Sequence, residues 1–171
     1  MSVTRAAVMV LAVAAATAGA AAPGTLGFGL GLSLFTPPEE GANMTAMYSA
    51  RAHYWATRHI VPSVEVGYAR YGVNGADFNY LPVFLRCAYH FTPNPTFDPY
   101  VGGGLVYARK WWDFKGGGVD NMYGVSALGG LNFYPSKSFG LGAGIEFVVP
   151  DITDFDSGYP AFGISLGAGD F

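Results

Sequence analysis

From Leu26 to Leu34 the chain alternates without exception. Leu26, Phe28, Leu30, Leu32 and Leu34 occupy one side, and Gly27, Gly29, Gly31 and Ser33 the other. A strand sends successive side chains to opposite faces, so this segment reads as a strand with one wholly apolar face and one nearly bare face. The pattern returns in Phe139, Leu141, Ala143, Ile145, Phe147 and Val149 against Gly140, Gly142, Gly144 and Glu146. It returns again in Leu81, Val83, Leu85, Cys87, Tyr89 and Phe91 against Phe84, Arg86, Ala88 and His90. Weaker versions lie at 44–54, 60–71, 100–109, 122–133 and 161–171, giving about eight strands, each near the length a tilted strand needs to cross a bilayer.

Alternation alone does not say which face is outside, because a lipocalin-like soluble barrel buries its apolar face around a ligand. Composition separates the two. Only 12% of residues are charged and 51% are hydrophobic, whereas a soluble domain carries about 25% charged residues. The non-apolar faces hold mostly Gly, Ser and Ala with about one charge per strand, too few to solvate an exterior but suited to a narrow interior. The apolar face is therefore expected to meet lipid. Twenty-five glycines and 16% aromatics argue against a helix bundle, and a net charge of -3 with no basic run argues against nucleic-acid binding.

Turn signals separate the strands: Thr36-Pro37-Pro38-Glu39-Glu40-Gly41, Gly72-Val73-Asn74-Gly75, Thr92-Pro93-Asn94-Pro95, Gly116-Gly117-Gly118, Tyr134-Pro135-Ser136-Lys137, and the stretch 150–160. With a periplasmic start, 55–59, 92–98 and 134–138 become periplasmic turns and both ends of the barrel lie in the periplasm. The segments 36–43, 72–78, 110–121 and 150–160 then face outward and are longer on average, as in bacterial outer-membrane barrels. Aromatics at the strand ends suggest two girdles, Tyr54, Trp55, Phe91, Phe133 and Tyr134 at one rim and Tyr68, Tyr71, Trp111, Trp112 and Phe155 at the other. Pro62 and Pro82 fall inside strand-like runs, where a missing N–H points to a strand end or a bulge.

Residues 1–5 form a short, positively charged start, and 6–16 an apolar run too short to span a bilayer. Ala18-Gly19-Ala20 and Ala20-Ala21-Ala22 both offer the small-x-small pattern of a secretory signal. The expected organisation is a signal peptide at 1–20 and a barrel domain at 21–171, with no second domain. No cysteine follows the apolar run, so a lipoprotein route is closed, and the lone Cys87 can form no intramolecular disulfide.

The opening strand Leu26-Gly27-Phe28-Gly29-Leu30-Gly31, the run Pro99-Tyr100-Val101-Gly102-Gly103-Gly104 after a Pro-rich turn, the strand Gly140-Leu141-Gly142-Ala143-Gly144-Ile145-Glu146-Phe147 and the final Phe171 together resemble the small outer-membrane β-barrel family, the OmpA/OmpX-like transmembrane domains of Gram-negative bacteria. The resemblance covers about 25–171. It implies an eight-stranded antiparallel up-and-down barrel without the peptidoglycan-binding domain of two-domain members, and a terminal aromatic recognised by the barrel assembly machinery. Phe171 is out of phase with Phe162, Ile164 and Leu166, which implies a bulge at 167–169 or an atypical signal.

In the inward phase, Arg51, Glu65 and Arg86 lie on three consecutive strands and Glu146 on the seventh. Buried charges need partners, so these four are expected to form an ion-pair network that plugs the lumen rather than gating it. His53 and His90 also point inward near the floor. They come from non-neighbouring strands with no evident third ligand, so interior histidines rather than a metal site are expected, with His59 solvated in a turn. At the outer rim, Arg109, Lys110, Trp111, Trp112 and Lys115 mix charge with indoles and suit anionic lipid headgroups or a foreign surface. Asp151, Asp154 and Asp156 make the last outer loop acidic, read as a solvated loop before a cation site bridging lipopolysaccharide phosphates.

The expected protein is a monomeric integral outer-membrane barrel, exported through the periplasm, with a structural or surface-interaction role and no cofactor. Its expected partners are outer-membrane lipids, lipopolysaccharide and the assembly machinery. No His, Ser and acidic group gather at the outer rim, so no enzyme is expected. A lipocalin-like carrier and a narrow channel are the alternatives.

Overall fold

Eight strands hydrogen-bond in sequence order and the last returns to the first, so the sheet has no edge. They are β1 (Leu26–Phe35), β2 (Thr45–Tyr54), β3 (Ile60–Val73), β4 (Ala76–His90), β5 (Phe97–Trp112), β6 (Gly118–Ser136), β7 (Phe139–Val149) and β8 (Tyr159–Gly169). The computed structural model describes residues 23–39, 41–91, 96–114, 116–136 and 139–169. The segment read as a signal peptide, the two residues Lys115 and Phe171, and the phase of the last residue therefore lie outside the described residues.

Every neighbouring pair is antiparallel, and registry can be followed around the wall from Gly27 through His53, Ser63, Arg86, Gly104, Ser126 and Val148 to Tyr159. Tyr159 lies two residues beyond Ala161, the partner of Phe35 on β1. The circuit thus closes about ten residues up β1 from where it began, the stagger that tilts strands by about 35–45° in a small barrel. All eight residues of this circuit face the interior.

The two faces separate sharply. Outward Leu105, Ile145 and Ile164 are 61–63% exposed, while inward Phe35, Met47 and Phe84 are at most 2% exposed. A soluble carrier would reverse this arrangement. The apolar belt outside is the surface that lipid covers.

The ends of β1 at Phe35 and of β7 at Val149 mark the outer end, and Tyr54, His90 and Ser136, the last residues of β2, β4 and β6, the periplasmic end. One outer connection is much shorter than its sequence suggests. Instead of a loop over 72–78, β3 and β4 join through Asn74 (φ 51) and Gly75 (φ 82) alone. Positive φ at both central residues makes a type I′ turn, whose twist matches the strands, and Asn-Gly is the pair best able to adopt it. The loop expected over 110–121 likewise shrinks to 113–117, because β5 continues through Trp112.

Neither Pro62 nor Pro82 ends a strand or creates a bulge. Pro62 pairs with Cys87 inside β3. Pairing lapses where Gly67 and Tyr68 face Leu81 and Pro82, then resumes in the same register at Ala69 and Tyr80. The missing proline N–H removes a ladder bond, but the buried Pro82 ring fills lumen space and holds the strand in place. The register shift falls instead between Phe133 and Ser136, on β6.

Candidate functional site

The lumen is organised in layers from the outer mouth to the periplasmic floor. In the outermost layer, Phe35 meets Tyr71, Tyr80 and Tyr159 at ring-centroid distances of 6.4, 5.9 and 4.9 Å. The hydroxyls of Tyr80 and Tyr159 share a buried 2.9 Å hydrogen bond. Met47, Phe84, Val106 and Val148 belong to the same buried cluster. Across its top, Glu39 of the first outer loop accepts hydrogen bonds from Tyr71 Oη at 3.0 Å and Lys110 Nζ at 2.8 Å. These side chains occupy the lumen at its outer end, as side chains can in a barrel of about eight strands.

Beneath lies the charged layer. Arg86 donates from Nη1 to Glu65 Oε2 at 2.6 Å and from Nη2 to Glu146 Oε2 at 2.5 Å, with its guanidinium carbon 3.7 Å from the centroid of Phe84. One fork-shaped cation thus spans from β3 to β7, a use that suits arginine better than lysine. Gly104, opposite Arg86, permits this closeness: a Cβ there would fall against the Leu85 carbonyl and 2.7 Å from Arg86 Cα.

Arg51 departs from expectation. It stands opposite Glu65 in the β2–β3 register, yet among the described residues it makes no ion pair or hydrogen bond. Glu65 instead turns toward Arg86. The Arg51 guanidinium borders two cavities, a middle one of about 70 Å³ and a lower one of about 50 Å³.

The periplasmic floor contains residues that sequence reading assigned elsewhere. Asp98, expected in a turn, is fully buried on β5, where it accepts from His90 Nδ1 at 2.5 Å and from Tyr134 Oη at 3.2 Å. His90 stacks on Tyr100, and Trp55 packs on His90 with centroids 4.8 Å apart. Trp55 and Tyr134 are therefore floor residues rather than girdle members, and Tyr71 belongs to the buried outer aromatic layer. His59 is tied down, its Nδ1 donating to the His90 carbonyl at 2.7 Å. Among the described residues no group of three or more His, Cys, Asp or Glu side chains could hold a metal ion.

The basic outer-rim cluster is divided rather than gathered. Because β5 runs through Trp112, alternation sends Arg109 and Trp111 outward while Lys110 and Trp112 face the interior side. Lys110 is held by Glu39 and, at 3.6 Å, by Asp120, and Trp112 packs on Phe78. In the last outer loop, Asp151 accepts from the backbone N–H and hydroxyl of Thr153 at 2.9 and 2.7 Å, which holds its carboxyl below the usual carboxylate range. Asp154 and Asp156 are exposed beside the short 3-10 turn Phe155–Ser157.

Comparison with known proteins agrees with this architecture. The sequence matches the outer membrane protein beta-barrel domain over residues 3–170. The fold is similar to the N-terminal β-barrel domain of Pseudomonas aeruginosa OprF, with TM-score 0.65 and 18% identity over 85% of this chain and 97% of that one. It is also similar to Neisserial surface protein A, with TM-score 0.65 and 16% identity over 84% and 95%. A third similar structure is Ail, the attachment invasion locus protein of Yersinia pestis, with TM-score 0.55 and 17% identity over 86% and 97%. No curated protein sequence matches the chain.

Proposed function

Because the chain belongs to the outer membrane protein β-barrel domain family, which places it in the bacterial outer membrane in contact with lipid, we propose that it is a structural barrel whose lumen is plugged. The observation that carries this reading is the layering of the interior. A closed aromatic layer at the outer mouth stands directly above a cation bridging two carboxylates. A side-chain-filled interior does not need to conduct in order to serve as a membrane element.

Surface contact is the accompanying role. Lipopolysaccharide is the natural neighbour of the outer rim, where Arg109 and Trp111 face outward, and exposed Asp154 and Asp156 supply acidic loop surface. The outer connections are short for a dedicated adhesin, which favours a structural role over attachment. The barrel acts as a monomer delivered by the assembly machinery, without enzymatic chemistry or a cofactor.

A narrow conduit is the second reading, favoured by the two cavities inside the barrel. Planar-bilayer recording of purified, folded protein separates them. The plugged barrel gives little or no steady conductance, and reproducible large channels would overturn it. In parallel, unboiled protein from the outer-membrane fraction should migrate faster than boiled protein, since a closed barrel resists detergent.

A further inference from the structure

We propose that the lower lumenal cavity is a binding site for a small oxoanion, a phosphate or a short carboxylate. The inference goes beyond the structural role and does not depend on it. Its first support is the division of charge between the two cavities. Arg51 and Arg86 line both, but Glu65 and Glu146 line only the middle one, and no carboxylate lines the lower one. The nearest acid on the floor, Asp98, carries His90 and Tyr134 and is absent from the cavity wall.

The second support is a set of donors on the cavity wall, two of them buried and without an acceptor. Arg51 has no hydrogen bond or ion pair among the described residues. Trp55 is 2% exposed and lines the cavity, and its Nε1–H has no acceptor; the buried Nε–H of Arg86 also has none. Buried N–H groups are nearly always paired, so the unpaired N–H groups of Trp55 and Arg86, with the half-buried guanidinium of Arg51 beside them, call for an occupant that accepts; the unpaired carboxylate oxygens Asp98 Oδ1 and Glu146 Oε1 belong to residues outside this cavity's wall. Planar guanidinium groups match the spacing of oxygens on phosphate and carboxylate, and an indole N–H adds a single directed bond.

Size and access fit the same ligand class. A volume of about 50 Å³ corresponds to roughly four water molecules, room for an oxoanion of four or five heavy atoms. The small side chains of Ser63, Ala88, Gly140 and Gly167 on the same wall leave the space free for such a ligand, above a floor that Trp55, His90 and Tyr134 build.

Trp55 supplies the test, since the chain has three tryptophans and the other two, Trp111 and Trp112, lie at the outer rim. A full-chain W111F/W112F variant, folded in detergent and checked by gel mobility, is titrated with sodium phosphate, sodium acetate or sodium chloride at matched ionic strength. The expected result is a saturable change in Trp55 emission with phosphate or acetate, and the more effective of the two identifies the oxoanion class. Arg51→Gln should raise the midpoint by about tenfold, the equivalent of losing one charge-assisted contact. Arg51→Lys, which keeps the charge and loses the fork, should fall between and serves if Arg51→Gln does not fold. Arg70→Gln, on the exposed surface, should leave the midpoint in place. The proposal is overturned if neither oxoanion gives a saturable change, if chloride reproduces it, or if both Arg51 variants titrate like the parent; the cavity then holds water alone.

Discussion

Removing Arg86 tests the charged layer most directly. The Arg86→Ala variant leaves Glu65 and Glu146, whose side chains are 12% and 15% exposed, without the cation that holds both. Deleting one partner of a buried ion pair costs about 3–5 kcal/mol. Here the middle cavity of about 70 Å³ borders all three residues and admits water, so the expected loss lies near the lower bound, about 3 kcal/mol. That corresponds to roughly a hundredfold change in the unfolding equilibrium. Urea unfolding in lipid vesicles at neutral pH, followed by tryptophan emission and gel mobility, provides the midpoint and slope needed to extract it. Adding Glu65→Gln and Glu146→Gln to Arg86→Ala removes the stranded charges and should recover about half of the loss or more, because coupled residues do not add. Loss of the Arg86–Phe84 contact is common to both variants and cancels in that comparison. A loss below about 1 kcal/mol, the value of an exposed pair, or a triple variant whose losses simply sum, would refute the claim that this layer is dry enough to need its cation.

Three further outcomes follow from the geometry. Leu85→Arg or Leu30→Arg, on the lipid face, should lower folded yield and cost about 2–4 kcal/mol at the bilayer midplane, whereas Ser49→Arg enters the lumen and should be milder; equal tolerance in a vesicle-folding assay would invert the assigned faces. Gly75→Ala forces a Cβ onto φ 82 and should cost about 1–2 kcal/mol, while Gly104→Ala drives a Cβ into the neighbouring strand beside Arg86 and should cost about 1–3 kcal/mol; normal urea midpoints for both would contradict these contacts. Thr153→Val removes a hydroxyl bond that Asp151 accepts, so the Asp151 carboxyl should titrate closer to the ordinary carboxylate value by NMR, and an unmoved titration would count against that bond.

The wall of the barrel was legible because each strand is two-sided. In β1, β4 and β7 the apolar residues fall on every second position, and with no edge in the sheet one phase error would expose a whole row of side chains. The interior was less legible. An aromatic near a strand end looks alike in sequence whether it faces lipid or the lumen, so position alone assigns Trp55, Tyr71 and Tyr134 to the girdles, although two of them share the inward phase of well-patterned neighbours. Asp98 carried the same signal, sitting two residues from inward Tyr100, but its proximity to the Pro-rich turn masked it. In sequence, Arg109 to Trp112 read as one loop cluster because the end of β5 has no breaker before Gly116. Arg51 shows a different limit: register places its backbone opposite Glu65, but the choice between two arginines rests on side-chain reach across the lumen, which no spacing rule contains.

Strand length adds a consequence for the surrounding membrane. β1, β2, β7 and β8 have 10 or 11 residues, whereas β3 to β6 have 14 to 19. With a rise of about 3.3 Å per residue and a tilt near 40°, the shorter strands climb about 25 Å, matching the apolar band of an outer-membrane barrel. The longer strands overshoot it, carrying the Arg70–Asp77, Tyr68–Asn79 and Tyr107–Asn121 pairs toward the headgroups. The molecule is thus a cylinder cut obliquely at the top. On the side of β3 to β6 the rim stands in the headgroup layer and presents polar pairs there, while on the side of β1, β2, β7 and β8 it ends near the edge of the apolar band, so the outer end of the molecule has a tall polar side and a low one.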